Sequence, residues 1–284
     1  MAIRRTSGAA PRRALEQSDE ETLEPAPPED GGEPRELTFR QHVIAFVKEF
    51  AAVVVGAVIV ASLLRGFVGQ MFIIPSESMQ NTLQVNDRVL VEKLSSIKRG
   101  QIVVFKDPGG WLTGPRAKER GPIGKAFQFI GILPDTSTEH LIKRVVGLPG
   151  DSVACCDASG RISVNDQPLE EESYLYMGPD GVQVKPSQIR FEVVVPAGRI
   201  FVLGDNRTHS RDSRCHLNDV QAGTTKGASA FVPTDLVVGR AIAVVWPLGN
   251  ARRLHTPATF EALPAGKVPA PTSPQIDAGP EATC

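Results

Sequence analysis

The fold of this chain is decided by the stretch Leu141-Ile142-Lys143-Arg144-Val145-Val146-Gly147-Leu148-Pro149-Gly150-Asp151, an apolar run that ends in a turn rich in glycine and proline. Short runs of this kind, bounded by Gly, Pro, Asn or Asp, are typical of β-strands. The run over residues 141–146 has seven counterparts, which lie at 88–93, 101–106, 151–154, 161–164, 191–195, 200–203 and 237–246. This spacing predicts an antiparallel, all-β fold.

An apolar stretch precedes these runs and predicts a transmembrane helix over residues 43–65. Residues 50–64 carry no charge, and residues 43–47 extend the stretch past Lys48 and Glu49 to about 22 residues, enough to cross a bilayer. A buried core helix and a cleaved signal peptide are the alternatives. The segment before the stretch is too long for a signal peptide, and the apolar residues 66–74 that follow favour a retained anchor.

The basic residues that flank this stretch predict its orientation. Arg35, Arg40 and Lys48 come before the charge-free part of the span, whereas Arg65 alone comes directly after it. The more basic side faces the cytoplasm, so we expect a plasma-membrane protein with a single span and its large domain outside. Residues 1–42, rich in Glu, Pro and Arg, predict a disordered cytoplasmic tail, and residues 253–284, rich in Pro, Ala and Thr, a flexible C-terminal tail.

The charge balance and the cysteines limit the possible functions of the protein and the compartment in which it works. The formal net charge is −1, so the charge balance gives no support to nucleic-acid binding. Adjacent cysteines rarely bridge each other, so a disulfide from Cys155 or Cys156 to Cys215 is the pairing that would fit an oxidising compartment. Free thiols are the alternative, and the spacing of Cys215 and His216 matches no usual zinc pattern.

A first candidate for chemistry is Ile74-Pro75-Ser76-Glu77-Ser78-Met79, directly after the apolar stretch. An extended backbone would place Ser76 and Ser78 on one face and Glu77 on the other. A hydroxyl beside a nucleophilic serine can stabilise an oxyanion together with a backbone N–H. An ordinary serine-rich turn after the proline is the alternative.

Lys143 is the second candidate. A strand over residues 141–146 places it on the same face as Leu141 and Val145. An ammonium among aliphatic side chains loses hydration, so its pKa falls and the neutral amine can take a proton from a serine. A lysine on an edge strand that reaches solvent is the alternative.

A polar loop over residues 204–214, Gly-Asp-Asn-Arg-Thr-His-Ser-Arg-Asp-Ser-Arg, is the third candidate. Loops that carry so many donors and acceptors often hold functional residues, although a solvated loop is the alternative. His209 and Asp212 could form a triad with Ser78, which sequence spacing neither supports nor excludes. A surface histidine is the simpler interpretation of His209.

Together these motifs resemble the type I signal peptidases. The matching boxes are Pro75-Ser-Glu-Ser-Met79, Asp87-Arg-Val-Leu-Val-Glu-Lys93, Lys143-Arg-Val-Val-Gly-Leu-Pro-Gly-Asp151 and Gly204-Asp-Asn-Arg. Their order and their position after a membrane anchor also match, and the resemblance covers residues 50–107 and 140–250. It implies a peptidase domain over residues 66–252, built as an antiparallel β-sheet catalytic core with a smaller β subdomain inserted at about residues 152–198.

The resemblance also implies roles for individual residues. Ser78 corresponds to the nucleophile, Lys143 to the general base, and Ser76 to the hydroxyl that joins the Ser78 N–H in the oxyanion hole. Supporting roles fall to three residues of the polar loop: Ser210, which orients the lysine, and the ion pair Asp212 and Arg214. The wall of the substrate pocket corresponds to four apolar residues: Ile74, Met79, Leu83 and Ile142.

The implied reaction is the removal of signal peptides from secretory preproteins by a serine endopeptidase, after Ala-x-Ala sequences. No metal and no cofactor is needed, and the implied partners are preproteins, the lipid bilayer and the protein export channel. Two residues depart from the family pattern. Asn86 stands where Gly is common and tolerates a positive φ, and Glu77 replaces a Gly but is expected to point away from the nucleophile.

Two rival interpretations stay open at this point. A self-cleaving repressor of the Ser/Lys type would need a DNA-binding domain in place of the membrane span. A catalytically inactive, membrane-anchored β domain would only bind partners.

Overall fold

Antiparallel β-sheet is the main regular secondary structure of the described chain, and one long helix precedes it. The structure is a computed structural model that describes residues 38–67, 69–112, 121–129, 140–266, 269–280, 282 and 284. Most of the predicted cytoplasmic tail therefore lies outside the described residues. The prediction of an all-β catalytic fold after one apolar helix is confirmed.

The apolar helix α1 runs from Phe39 to Phe67. It begins four residues before the predicted start at residue 43, because the Gln41 side chain caps its N-terminus: the Thr38 N–H donates to Gln41 Oε1 at 2.8 Å. Twenty-nine residues make a helix of about 44 Å, longer than a hydrocarbon core of about 30 Å. The segment Phe39–Ser62 is long and apolar enough to cross a membrane, and none of it is buried in the structure.

Thirteen strands and a second helix are assigned within the described residues. The strands are β1 Gly69–Ile73, β2 Arg88–Glu92, β3 Ile102–Lys106, β4 His140–Gly147, β5 Ser152–Cys155, β6 Ile162–Val164, β7 Gln167–Pro168, β8 Phe191–Val194, β9 Arg199–Leu203, β10 Val232–Pro233, β11 Val237–Trp246, β12 Arg252–Arg253 and β13 Gln275–Ala278. The helix α2 covers Pro122–Phe129. Each of the eight predicted strand segments overlaps one of these strands.

The strands form two antiparallel sheets. The first follows the order β1-β2-β11-β3-β4-β9-β10, with β12 paired to β11. The second follows the order β13-β8-β5-β6-β7. Strand β4, which carries Lys143, lies between β3 and β9 in the first sheet, and Lys143 is paired with Val103.

The C-terminal residues differ from the prediction of a flexible tail after residue 252. Gln275–Ala278 pairs with β8 as strand β13, and the side chains of Phe260 and Ala282 are buried. Composition alone could not predict this strand, because the strand forms on an edge of β8 whose backbone groups need partners. The second sheet is therefore built from the predicted insertion, residues 152–198, together with one strand from the tail.

The cysteines also pair differently from the expectation. Cys155 bonds to its neighbour Cys156, and Cys215 bonds to Cys284. The second bond ties Cys284 to the 3-10 helix over Ser213–His216, at the end of the polar loop. The expected bridge from the adjacent pair to Cys215 is wrong, because Cys155 lies on the second sheet whereas Cys284 is brought next to Cys215.

Candidate active site

Ser78 lies just beyond the end of β1, in a short 3-10 helix over Glu77–Met79. The extended backbone predicted for this segment stops at Ser76, which has φ −135° and ψ 164°. Even so, the two hydroxyls come together, and Ser76 Oγ lies 3.4 Å from Ser78 Oγ. Ser78 is buried, whereas Ser76 and Glu77 are exposed. The Ser78 N–H lies in the first turn of the helix, where an N–H has no partner within the helix.

Lys143 extends from β4 to the Ser78 hydroxyl. Its Nζ donates to Ser78 Oγ at 2.5 Å, a contact between residues 65 positions apart in the chain. Leu141 and Val145 belong to one apolar cluster and Ile142 to another, in line with the predicted alternation along the strand. Burial lowers the pKa of Lys143 from its ordinary value of 10.5 to about 8, although the carboxylates of Asp212 and Asp205 act in the opposite direction.

The polar loop folds beside this pair. Its carboxylate Asp212 accepts from the Gly204 N–H at 3.0 Å and from Arg214 Nε at 2.9 Å, and both side chains of the ion pair are buried. Burial opposes ionisation, but Arg214, the Gly204 N–H and Ser210 together outweigh it and hold the pKa of Asp212 below its ordinary value. Ser210 is buried, and its hydroxyl meets no partner with full hydrogen-bond geometry among the described residues. It still lies close enough to help lower the pKa of Asp212.

His209 takes no part in this cluster. Its side chain is exposed, and within the described residues no hydrogen bond connects it to Ser78. Asp212, the acid of the possible triad, is occupied by Arg214 and the Gly204 N–H. The geometry therefore pairs Ser78 with the lysine.

The four residues expected to line the substrate pocket belong to one apolar cluster next to Ser78. They have at most 6% of their surface exposed: Ile74, Met79, Leu83 and Ile142. The turn behind them contains Asn86 with φ +71°, the left-handed conformation for which asparagine was expected to substitute for glycine. Its N–H donates to the Ile74 carbonyl at 2.8 Å.

Buried ion pairs support the site, and sequence reasoning assigned them no role. Arg144 donates from Nε and Nη2 to the two carboxylate oxygens of Asp205 at 2.8 and 2.6 Å, which joins β4 to the polar loop. Arg207 pairs with Glu171 in the inserted region, and both side chains are 2% exposed. Arg144 and Asp205 lie in the matched boxes and could have been suspected from them, but nothing in the sequence marks Glu171.

The arrangement holds the parts for acyl transfer: a buried hydroxyl, an amine of lowered pKa within hydrogen-bond distance, and a second hydroxyl beside the nucleophile. Within the described residues, no group of three or more His, Cys, Asp and Glu side chains could hold a metal ion.

Comparison with known proteins places the chain in a family. Residues 47–246 match the family described as "Signal peptidase, peptidase S26". The signal peptidase I of Mycobacterium tuberculosis is 35% identical over 226 residues, which cover 71% of this chain and 73% of that protein. The probable signal peptidase I of Mycobacterium leprae is 36% identical over 227 residues, 70% of this chain and 76% of that protein.

A solved structure of a signal peptidase I from Enterococcus faecalis also aligns, with 21% identity and a TM-score of 0.28, over 51% of this chain and 97% of that one. The family assignment rests on the sequence matches, which cover well over half of the chain. This chain belongs to the signal peptidase family, peptidase S26, and is a serine endopeptidase.

Proposed function

We propose that this peptidase removes N-terminal signal peptides from exported preproteins with a catalytic dyad of Ser78 and Lys143. The observation that carries the proposal is the 2.5 Å contact between Lys143 Nζ and Ser78 Oγ in a buried setting. An ordinary lysine is almost fully protonated at neutral pH and cannot accept a proton. A pKa of about 8 leaves a useful fraction of neutral amine near neutral pH.

In the proposed reaction, the Lys143 amine takes the proton of Ser78, and Oγ attacks the carbonyl carbon of the scissile bond. The ammonium then gives this proton to the leaving amine, the C–N bond breaks, and an acyl-enzyme forms on Oγ. The lysine next takes a proton from water, whose oxygen attacks the ester carbonyl. The bond from the carbonyl carbon to Ser78 Oγ then breaks, and the lysine returns its proton to Oγ, which restores the free enzyme. The Ser76 hydroxyl and the Ser78 N–H would donate to the oxyanion in both steps.

The polar loop would hold the lysine in position. Ser210 would accept a hydrogen bond from the protonated amine, since its buried hydroxyl has capacity for a partner. The Asp212 and Arg214 pair carries opposite charges near the lysine, and its two members act on the lysine pKa in opposite directions. We expect the pair to keep that pKa in a working range and to fix the loop through the Gly204 N–H.

The apolar wall favours small side chains before the cut. Ile74, Met79 and Leu83 leave almost no open surface beside the nucleophile, so a bulky side chain would have to displace a packed cluster. An alanine fits with the least rearrangement, in agreement with cleavage after Ala-x-Ala sequences.

We further propose that α1 anchors the enzyme in the plasma membrane, with the residues before it in the cytoplasm and the catalytic domain outside. Signal peptides are themselves apolar segments, so an enzyme in the same bilayer meets them at a raised effective concentration, near the export channel. Protease added to spheroplasts should digest the region after residue 66 and spare the region before residue 43. Protection of the large domain would exclude the proposed orientation.

The decisive experiment uses the full chain in a neutral detergent with a peptide that spans an Ala-x-Ala junction. The product ends should map to the bond after the second alanine. Ser78→Ala should abolish cleavage, and Ser96→Ala, an exposed serine outside the site, should not. Unchanged turnover in Ser78→Ala would exclude Ser78 as the nucleophile, whereas no cleavage by the wild type would leave the inactive binding domain as the better interpretation.

A second set of variants separates the dyad from a triad. Lys143→Ala should lose as much activity as Ser78→Ala, because the two residues act as one unit and their losses do not add. His209→Ala should keep most of the turnover. An inactive His209→Ala beside an active Lys143→Ala would replace the dyad with the triad.

A further inference from the structure

A buried ion pair joins the polar loop to the inserted region. Arg207 of the loop donates from Nη2 and Nη1 to the two carboxylate oxygens of Glu171, at 2.5 and 3.2 Å. The two residues lie 36 positions apart, and each side chain is only 2% exposed. Such a pair is costly to break but is seldom a net source of stability, because both charges lose their hydration. The other contacts of Arg207 indicate what the pair does for the molecule.

Arg207 also holds the backbone of Gly204, the first residue of the polar loop. Its Nε donates to the Gly204 carbonyl at 2.9 Å, while the Gly204 N–H donates to the Asp212 carboxylate at 3.0 Å. A guanidinium can hold a carboxylate and a carbonyl at the same time, because its donors form a rigid, planar fork. The position of Glu171 therefore fixes that of Gly204.

Gly204 packs directly against the nucleophile. A Cβ added to it would overlap both the Ser78 carbonyl oxygen and the Ser210 hydroxyl, so no free space separates these groups. The same Ser78 carbonyl accepts the Asn206 N–H at 3.0 Å. The start of the polar loop thus supports Ser78 from behind, and a displacement of Gly204 would displace the nucleophile.

Glu171 contacts the other half of the catalytic pair through Tyr174. The Tyr174 hydroxyl donates to Glu171 Oε1 at 2.6 Å, and the Arg144 guanidinium lies over the Tyr174 ring, 4.4 Å from its centroid. Arg144 follows Lys143 on β4. Glu171 therefore lies between the loop behind Ser78 and the strand that carries the lysine.

The charge of Glu171 determines which carboxylate Arg207 contacts. Burial lowers the pKa of Arg207, but its neighbours, Glu171 foremost, raise that pKa above its ordinary value, so the guanidinium stays charged. Asp212 also attracts it. Without Glu171 the buried cation would be drawn towards Asp212, the carboxylate that holds the Gly204 N–H. The loop would then leave the position that supports Ser78.

We infer that Glu171 is a positioning residue for catalysis, which acts through Arg207 to hold Gly204 against Ser78. It keeps the Ser78 hydroxyl within reach of Lys143 and so gives the inserted region a part in the reaction. The inference rests on the proposed function, because it assigns a support to the same catalytic pair. A misplacement of about 1 Å that originates far from the chemistry can cost about a hundredfold in rate.

Two single variants and their combination provide the test, with the full chain in neutral detergent and a peptide that spans an Ala-x-Ala junction. Glu171→Gln and Arg207→Gln should each lower kcat by about ten- to a hundredfold. KM should stay within about threefold, because the apolar wall expected to receive the substrate contains neither residue. The double variant should lose no more than the single variants, since the two residues act as one unit.

The double variant separates positioning from stability. Each single variant leaves a buried charge without its partner and should lower the midpoint of urea unfolding. Glu171→Gln/Arg207→Gln removes both charges and should recover most of that midpoint. Its kcat should stay low, because a glutamine side chain cannot hold the partner side chain and the Gly204 carbonyl together.

Arg99→Met is the matched control. It breaks the ion pair with Asp151, whose carboxylate is 1% exposed, outside the polar loop. It should lower the urea midpoint as the single variants do and leave kcat as in the wild type. All rates are measured at a temperature at which circular dichroism shows each variant to be folded. Where Glu171→Gln does not fold, Glu171→Asp replaces it: it keeps the charge, shortens the side chain and should lower kcat at least about threefold.

The outcomes are distinguishable. An unchanged kcat in the Glu171 variant would overturn the inference, and so would an equal loss of kcat in Arg99→Met. Recovery of kcat together with the urea midpoint in the double variant would assign the pair to stability alone. Each of these results leaves the proposed function intact, whereas no cleavage of the peptide by the wild type would overturn both.

Discussion

The lowered pKa of Lys143 makes a quantitative prediction for the pH dependence of cleavage. The neutral amine is the active form, so kcat/KM should rise with pH through a value of about 8 and then level off. Half of the enzyme would carry the neutral amine at pH 8. A lysine with the ordinary pKa would be neutral in about 0.3% of molecules at that pH, so burial raises the active fraction by about 150-fold.

The ion pair of Asp212 and Arg214 beside the lysine allows the pH midpoint of the rise in kcat/KM to be moved in either direction. The Asp212 carboxylate raises the lysine pKa and Arg214 lowers it. Asp212→Asn should therefore shift the midpoint to lower pH by about one unit, and Arg214→Gln should shift it to higher pH by a smaller amount, because Arg214 acts on the lysine pKa more weakly than Asp212 does. Asparagine can still accept from the Gly204 N–H, and Asp212 in the second variant keeps its bonds to two backbone N–H groups.

The assay is the initial rate on a fluorogenic Ala-x-Ala peptide between pH 5.5 and pH 10, with circular dichroism to verify folding at each pH. Two results would refute the reasoning. The first is a wild-type midpoint near 6.5, which would indicate a histidine base. The second is a shift of both variants in the same direction, which would mean that the charges of the pair do not set the lysine pKa.

Three further predictions concern the oxyanion, a buried ion pair and a disulfide, each with the full chain in detergent. Ser76→Ala should lower kcat by about a hundredfold to a thousandfold and stay measurable, because the backbone donor is retained. Arg144→Met should cost about 3 to 5 kcal/mol in urea unfolding because it leaves Asp205 buried without its partner, whereas Arg161→Met, in an exposed ion pair, should cost less than about 1 kcal/mol. Cys215→Ser should lower the free energy of unfolding by about 4 kcal/mol, since it opens a loop of 69 residues; a loss below about 1 kcal/mol would contradict this.

Local pattern was enough for the elements, whereas the roles expected of Ser78 and Lys143 came from the resemblance to a family. The apolar stretch predicted α1, and the strand runs predicted an antiparallel fold, because periodicity and turn residues act over a few positions. The alternation along β4 predicted that Lys143 shares a face with Leu141 and Val145, which belong to one apolar cluster. The start of α1 was missed by four residues although its signal, Thr38 and Gln41, was present in the sequence.

The tertiary structure alone decided the contacts between distant segments. The sequence predicted a candidate nucleophile and a candidate base on separate elements and left open whether the lysine is buried. Only the fold buries Lys143 and brings its Nζ to 2.5 Å from Ser78 Oγ. The pairing of β13 with β8 and the bond between Cys215 and Cys284 depend likewise on segments far apart in the chain. Such contacts depend on which surfaces meet after the sheets form, and no local periodicity encodes that meeting.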